Sequence, residues 1–550
     1  MEQIYNSKNF NLTISQNEDL LITWSAVDSA KYYVLRDSNS NVEEIRYEAN
    51  DALEYMPTVV GKHTITIEVH TETEVVSFAF EGREIPMCFG YHGTMFNAYS
   101  CDQAFLQKIG FTADGLQKNA ANRYVLYYNA EKGYVKTPEE ATDFSSEPYL
   151  SDFLENCKNA GLNVVMASSF TIYRYPQKWE NSGLKKLMDT AWYKFGLKTI
   201  VWDEPIFDLP RNETLTLDEM RQRMNEWFDD KENRGISHYT RHPGYYGMEM
   251  TDEPFTTREK NTWRTQNQVV TAGYCYRAIK EIFEREGIKS EFTCALNKYP
   301  YVFRGEKGYV EYLEDWVTSS GADFISFDVY LPSISNYSGA PHVVTLQHFE
   351  TTWKCIRDVA DKYGIRIDAA TTAFDFSDDG NHAVLTPRDV LQNAYFAYMY
   401  GSASILYFAA CPFATGGITN TIFERNGKPS WVYPWVKKAN ENITKLRYWL
   451  KDYKYLSSNI KDTESYQFVK VLWSNGNGKY AHFYMNMNTS ADTSPALAFA
   501  QKGEEYIYLK ADGSVEKATA ESELAFWLIS GEMLITINEI EEFIQYRYED

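Results

Sequence analysis

The chain has 550 residues, more than one hydrophobic core usually supports, so we expect two to four domains. Its net charge is −22, from 76 acidic against 54 basic side chains without a basic cluster, which argues against nucleic acid and anionic membranes as partners. No apolar run approaches the roughly 18 residues of a membrane-spanning helix, and the seven cysteines form no CxxC pair, so neither a zinc site nor a disulfide framework is expected.

The N-terminus lacks a basic region followed by an apolar one, which predicts no signal peptide in this sequence. An extracellular location remains open if a leader was removed, and a cytoplasmic one otherwise. The sequence contains no GxGxxG, GxxxxGK[ST], HExxH or GxSxG motif, so we expect no cofactor. His238 and His242 are spaced i, i+4, but Tyr239 stands where a metalloprotease needs Glu, and no metal site is predicted.

Residues 1–83 are predicted to form a small antiparallel β-sandwich. Short alternating or apolar runs at 20–24, 31–36, 64–70 and 74–80 are separated by Asp, Ser and Asn clusters, which are turn signals. The Ile-Thr-Trp at 22–24, the run at 30–36 and the Gly-Lys-His-Thr-Ile-Thr-Ile at 61–67 resemble a fibronectin type III module.

Residues 84–450 show eight repeats of strand, loop and helix. The predicted strands are 87–91, 163–168, 199–202, 245–251, 291–296, 324–330, 365–371 and 404–408, and the predicted helices are 149–160, 183–195, 217–228, 258–286, 308–319, 346–363, 386–400 and 433–450. Eight such units favour a closed (β/α)8 TIM barrel, with a doubly wound open sheet as the alternative. The long segment between the first two strands, with a hairpin around 124–134, is expected to form a lid or wall.

Residues 451–550 return to short strands, predicted at 465–472, 479–487, 505–509, 524–528 and 531–537, with Asn-Gly turns between them. The pattern indicates a second β-sandwich. The expected protein is therefore multidomain, with a central TIM barrel flanked by an N-terminal and a C-terminal β-sandwich.

Carboxylates follow several of the predicted barrel strands. The fourth strand ends in Asp252 and Glu253 and is stopped by Pro254, while Asp203 follows the third strand and Asp328 lies in the sixth. Carboxyl ends of barrel strands are where such folds carry their chemistry, and a pair of carboxylates there suits acid/base catalysis. The alternative is that Asp252 and Glu253 only cap the helix that follows.

Other polar and aromatic side chains at strand ends suit the binding of a neutral polyol. The candidates are Trp202, Tyr173, Tyr299 and Phe413 for stacking on sugar rings, Arg174 and Lys298 for hydrogen bonds to hydroxyls, Asn297, His92 and His242 for other contacts with the substrate, and Tyr330 as partner of the carboxylate that stays ionised. For each of them, a role in packing or in loop structure is the alternative.

A fibronectin-like module, eight β/α units whose fourth strand ends Asp-Glu-Pro, and a C-terminal β-sandwich together resemble the clan A glycoside hydrolases, more loosely the β-galactosidases of family 42. The resemblance implies hydrolysis of an oligo- or polysaccharide without a cofactor. It implies that Glu253 is the general acid/base and that Asp252 stands where the clan usually has Asn.

The sequence departs from that clan in its seventh strand. The clan has a nucleophilic Glu at the end of this strand, whereas residues 365–376 here contain none. Asp375 just past the strand, or Asp328 or Asp203 from another strand, are the possible second carboxylates. Carboxyls about 5 Å apart serve a retaining mechanism, and about 6.5–9.5 Å an inverting one. The rival hypotheses are a non-catalytic glycan-binding barrel and a lyase or epimerase that uses Asp203 and Asp328.

Overall fold

The structure is a computed structural model. It describes residues 1–90, 98–101, 103–108, 110–118, 124–129, 131–140, 147–168, 179–231, 235–254, 267–296, 305–329, 334–337, 340–343, 346–374, 385–408, 410, 420–424, 427–463, 466–486 and 496–541. Among these residues, no helix combines the length and the apolarity that crossing a membrane requires.

The N-terminal part consists of two antiparallel sheets around one apolar core. Its strands are β1 (Glu2–Asn6), β2 (Asn11–Gln16), β3 (Ile22–Trp24), β4 (Tyr32–Asp37), β5 (Ile45–Glu48), β6 (Glu54–Tyr55), β7 (Thr64–His70) and β8 (Val75–Glu81). The sheet orders are β1-β2-β3-β6 and β5-β4-β7-β8. Alternate residues of both sheets, such as Ile14 on β2 and Ile65 on β7, are fully buried against each other, as the period-2 pattern predicts. The likeness to a fibronectin type III module stays a prediction.

The middle part contains the strands of a large parallel sheet and two small antiparallel additions. The strands are β9 (Cys88–Gly90), β10 (Ala98–Cys101), β11 (Tyr124–Asn129), β12 (Gly133–Val135), β13 (Val164–Ser168), β14 (Lys198–Trp202), β15 (Tyr245–Asp252), β16 (Glu291–Ala295), β17 (Phe324–Asp328), β18 (Ile334–Tyr337), β19 (Ala340–Val343), β20 (Arg366–Thr372) and β21 (Ser404–Phe408). The predicted hairpin is the antiparallel pair β11 and β12.

Eight of these strands form the central sheet, in the order β16-β15-β14-β13-β9-β21-β20-β17 with parallel neighbours. Its two edges are joined, because Leu296 just after β16 bridges Phe327 of β17 and its N–H donates to the carbonyl of Ser326 at 3.0 Å. An open doubly wound sheet has no contact between its edge strands.

The helices that follow these strands are α1 (Gln103–Lys108), α2 (Tyr149–Asn159), α3 (Gly183–Asp189), α4 (Glu204–Asn212), α5 (Leu217–Asp229), α6 (Ile236–Tyr239), α7 (Gln268–Glu286), α8 (Gly305–Ser320), α9 (Leu346–Tyr363), α10 (Pro387–Met399) and α11 (Tyr433–Trp449). A π-helical turn at Thr190–Lys194 continues α3. Capping boxes at Thr216 and Thr386 begin α5 and α10, and Gly287 ends α7 in the left-handed conformation. Helix α7 was predicted at 258–286; its described part is Gln268–Glu286, and 258–266 lie outside the described residues.

The C-terminal part has a six-stranded antiparallel sheet and a strand pair that packs on it. Its strands are β22 (Lys454–Thr463), β23 (Tyr466–Ser474), β24 (Tyr480–Asn486), β25 (Ala496–Ala500), β26 (Glu505–Leu509), β27 (Val515–Thr519), β28 (Leu524–Leu528) and β29 (Met533–Asn538). The large sheet has the order β22-β23-β24-β29-β26-β27, and β25 pairs with β28. Tyr484, Ala498 and Leu534 share one core between the two.

The central sheet has two apolar faces that belong to different clusters. Val164, Met166, Ile200 and Leu406 lie on the face that we call the inner face, with Trp202 packed beside them. Their alternating neighbours on the strands pack against the helices in the main core. A side chain at a strand's carboxyl end is therefore directed either to the inner face or to the helices, and its direction decides whether it contributes to a site on the inner face or to packing.

Candidate functional site

The structure describes six of the predicted site residues: Glu253, Asp252, Asp203, Trp202, Asp328 and His242. The other nine lie outside the described residues and keep their standing as predictions. They are Asp375, Tyr330, Asn297, Tyr173, Arg174, His92, Tyr299, Phe413 and Lys298.

The fourth strand, β15, is irregular on both of its edges. Opposite β14, Tyr245 and Gly247 pair with two consecutive residues, so that Tyr246 is the extra residue on β15. Opposite β16, the register shifts in the same way between Glu249 and Asp252. Each shift is a β-bulge, which puts an extra residue on β15 and redirects the side chains beyond it. At Gly247 the strands are so close that an added Cβ would lie 2.0 Å from the carbonyl oxygen of Glu291.

Glu253 follows this strand in a strained conformation. Its φ is 42°, and only two other non-glycine residues in the described part of the chain have a positive φ. Its N–H donates to the carbonyl of Ala295 at 2.7 Å, and its side chain is half-buried. A non-glycine residue costs about 1–3 kcal/mol in such a conformation, and residues of this kind are concentrated at functional sites.

Asp328 ends β17 on the other side of β16. It is buried, and its N–H donates to the carbonyl of Leu296 at 3.4 Å. The carbonyls of the consecutive residues Ala295 and Leu296 thus bind the backbone N–H groups of Glu253 and Asp328 at the carboxyl ends of the strands. The two backbones lie two strand spacings apart, about 10 Å. Glu and Asp side chains reach from that distance to the carboxyl separations of glycosidases, about 5 to 9.5 Å.

Asp252 is hydrogen-bonded to Arg211 of helix α4. The guanidinium of Arg211 on α4 donates to the carbonyl of Asp252 at 2.6 Å and to its carboxylate at 3.4 Å. Both side chains are partly exposed, so the ion pair contributes at most about 1 kcal/mol. The contact nevertheless fixes the end of β15 against α4.

Asp203 and Trp202 point to opposite sides of the sheet. The buried carboxylate of Asp203 accepts a hydrogen bond from the hydroxyl of Tyr239 at 3.0 Å, in the layer of helices. Trp202 lies on the inner face, where its ring packs 4.3 Å from that of Phe207. This placement does not support a lyase or epimerase that uses Asp203 together with Asp328.

The seventh strand, β20, carries one carboxylate, Asp368, in the middle of the strand. Asp368 accepts from the hydroxyl of Ser404 at 2.6 Å and from Nε of Arg366 at 2.9 Å. Arg366 also contacts Glu291 at 2.6 Å, and burial raises the pKa of Glu291 although Arg366 opposes that rise. Asp368 is thus bound within an ionic network, and the described residues that follow it, through Phe374, are uncharged.

Glu249, in the middle of β15, was not among the predicted site residues. In register with Trp202, it lies on the inner face and is 6% exposed. The hydroxyl of Thr293 donates to its Oε2, and the N–H of Ala295 donates to Oε1 at 3.3 Å. Loss of water on burial raises the pKa of Glu249 well above the ordinary 4.5, and the charge of Asp252 raises it further, against the Ala295 hydrogen bond.

Of the histidine pair at 238 and 242, His242 is hydrogen-bonded within the protein through both ring nitrogens. Nε2 of His242 lies 2.9 Å from the carboxylate of Asp189, and its Nδ1 accepts from the N–H of Gly244. Within the described ranges, no group of three or more His, Cys, Asp or Glu side chains is arranged to hold a metal ion.

No protein-family model and no curated protein matches this sequence. In fold the chain is similar to a family 39 glycoside hydrolase from Bacteroides cellulosilyticus, with 10% identity, a TM-score of 0.42, and 96% of this chain and 100% of that one covered. It is also similar to a putative α-galactosidase/melibiase from Bacteroides fragilis (9%, TM-score 0.44, 92% and 91% covered) and to an endo-β-1,4-mannanase from Thermotoga petrophila (10%, TM-score 0.36, 70% and 93% covered). Likeness at this level assigns no activity to this chain.

Proposed function

We propose that this chain is a glycoside hydrolase of the clan A type, which acts on an oligo- or polysaccharide with Glu253 as general acid/base. The observation that carries the proposal is the pair of carboxyl-bearing residues, Glu253 and Asp328, whose backbones are bonded to consecutive carbonyls at one edge of the central sheet. The joined edges of the sheet support a closed (β/α)8 barrel. The proposed domains are an N-terminal β-sandwich at 1–83, the barrel at 84–450 and a C-terminal β-sandwich at 451–550.

In this proposal Glu253 donates a proton to the glycosidic oxygen, and a second carboxylate attacks the anomeric carbon or activates a water. Asp328 is the favoured second carboxylate, because it is buried and lies across β16 from Glu253. Asp375, which follows the described part of the seventh strand, is the alternative. Trp202 supplies an aromatic ring on the inner face for stacking against a sugar.

The test is a panel of aryl glycosides that differ in leaving-group acidity, hydrolysed by wild type, Glu253→Gln and Asp328→Asn. For Glu253→Gln we expect kcat/KM to fall by about 10²- to 10⁴-fold, with the largest loss on the poorest leaving groups, since those need the proton most. The exposed Glu523→Gln is the matched control and is expected to retain activity. Hydrolysis that survives Glu253→Gln unchanged removes Glu253 from the mechanism.

A second candidate function is the binding of glycan without hydrolysis. It is favoured by the seventh strand, whose one carboxylate, Asp368, is bound to Arg366 and Ser404 rather than placed at the strand's carboxyl end. The two functions differ in a calorimetric titration with oligosaccharides. Binding that Trp202→Ala weakens, together with no turnover on any glycoside, supports this candidate over the first.

A further inference from the structure

At the β-bulge of β15, Ala295 of β16 is hydrogen-bonded both to Glu249 and to Glu253, which follows β15. Between Glu249 and Asp252, β15 has one more residue than β16, so the regular ladder is interrupted opposite Ala295. The N–H of Ala295 donates instead to the Glu249 side chain at 3.3 Å, and its carbonyl accepts from the N–H of Glu253 at 2.7 Å. Ala295 is therefore bonded on one side to a carboxyl and on the other to the residue proposed as acid/base.

We infer that Glu249 is a positioning residue for Glu253. Its buried side chain holds the N–H of Ala295 in place at the bulge, and the carbonyl of Ala295 in turn binds the N–H of Glu253, the residue in the left-handed conformation. This inference rests on the proposed function of Glu253, because positioning matters only if that carboxyl reacts. A carboxyl misplaced by about 1 Å loses on the order of 10²-fold in rate.

An uncharged carboxyl suits this role. When protonated on Oε2, Glu249 still accepts from the N–H of Ala295 with Oε1 and from the hydroxyl of Thr293 with a lone pair of Oε2. Its raised pKa favours this form. A neutral Glu249 also adds no negative charge to a strand end that already carries Asp252 and Glu253.

The same geometry argues against Glu249 as the proton donor itself. It is 6% exposed, and each of its oxygens has a hydrogen-bond partner within the sheet. A glutamine at this position keeps both partners, because its carbonyl accepts from the N–H of Ala295 and its amide donates to the Thr293 hydroxyl, which rotates to accept. A glutamine cannot donate a proton to a glycosidic oxygen, so Glu249→Gln separates the two roles.

The experiment compares wild type, Glu249→Gln, Glu249→Leu and Glu253→Gln, with Glu523→Gln as a matched exposed control. We expect Glu249→Gln to keep kcat within about threefold of wild type, and Glu249→Leu to lower kcat by about 10²-fold with a smaller change in KM. Thr293→Val removes only the hydroxyl partner and is expected to lower kcat less, which covers the case in which Glu249→Leu does not fold. Rescue by the conservative Gln variant is the signature of positioning.

Amide hydrogen exchange of peptides that cover 249–254 and 291–296 provides a readout that needs no turnover. Faster exchange in both peptides of Glu249→Leu, and wild-type exchange in Glu249→Gln, support the contact through Ala295. Unchanged exchange in Glu249→Leu overturns the inference. So does a Glu249→Gln protein with wild-type exchange that is as inactive as Glu253→Gln, since Glu249 would then transfer the proton. If the wild type is inactive on every glycoside, the proposed function is overturned. The amide exchange measurement then still tests the contact between Glu249 and Glu253 through Ala295.

Discussion

Replacing Glu249 with Gln is predicted to stabilise the protein increasingly as the pH rises. In the folded chain, burial and the charge of Asp252 raise the pKa of Glu249 above the 4.5 of an exposed Glu. The folded state therefore binds a proton that the unfolded state releases. The free energy of unfolding that this proton contributes is fully present below about pH 4.5 and is lost as the pH rises through the folded-state pKa. A Gln at this position has no proton to lose.

The size of the effect follows from the contacts of the side chain. At pH 4.5 and below, Glu and Gln are both neutral and are each hydrogen-bonded to the same two partners, Thr293 and Ala295, so the two proteins are expected to be about equally stable. Above that pH, wild type loses about 1.4 kcal/mol of unfolding free energy per pH unit relative to the variant, until the folded-state pKa is reached. For a chain of 550 residues that is on the order of 1 °C in Tm per pH unit.

Differential scanning calorimetry of wild type and Glu249→Gln between pH 4.5 and pH 8 measures the difference. All other titrating groups are common to the two proteins and cancel in the difference of Tm. The exposed Glu523→Gln is the control for a generic loss of negative charge from a chain of net charge −22. A Tm difference that stays constant across this range refutes the reasoning that Glu249 is buried as a neutral acid.

Three other changes have expected outcomes. His63→Ala removes the imidazole that lies 2.7 Å from the buried carboxyl of Asp37 and leaves the hydroxyl of Tyr55 and the N–H of Asn39 as its donors, and urea denaturation is expected to show a loss of about 1–3 kcal/mol. Gly247→Ala places a Cβ 2.0 Å from the carbonyl oxygen of Glu291, which cannot move without breaking the sheet, and thermal unfolding is expected to show a cost of about 3 kcal/mol or more. Glu253→Gly relieves a φ of 42° and is expected to stabilise by about 1 kcal/mol in the same assay while turnover is lost.

The central elements were predictable from sequence because parallel strands covered on both sides are continuous apolar runs. The fifth strand, predicted at 291–296, is Glu291–Ala295, and the helix predicted at 346–363 is Leu346–Tyr363. Glycines in the left-handed conformation, such as Gly287 and Gly364, mark where helices end before these strands. Helix Glu204–Asn212 was missed, because Pro205 and Pro210 are helix breakers in most contexts although Pro205 stands here in the first turn.

The candidate site was less predictable, because its geometry depends on register rather than on composition. Alternation along a regular strand assigns Glu249 and Glu253 to the same face, but the bulge before Asp252 and the φ of 42° at Glu253 interrupt that alternation, so residue spacing does not predict the direction of the Glu253 side chain. Register is set by the neighbouring strands, which lie about 40 residues away in sequence, so no local pattern reveals it. The one available signal was Glu249 itself, a charged residue between two methionines that are both fully buried.

The fourth strand and the residue after it carry two glutamates, of which one is buried and the other partly exposed. Glu249 is enclosed and favours its neutral form, and Glu253 lies half-buried at the strand's end in a conformation that costs free energy. Neither condition stabilises the fold by itself, yet both meet at Ala295, which bonds to each of them. A strand that served packing alone would need neither the bulge nor the strain, since a regular ladder satisfies the same N–H and C=O groups at no such cost. Under the proposed function, the irregularity of β15 serves the placement of the Glu253 carboxyl.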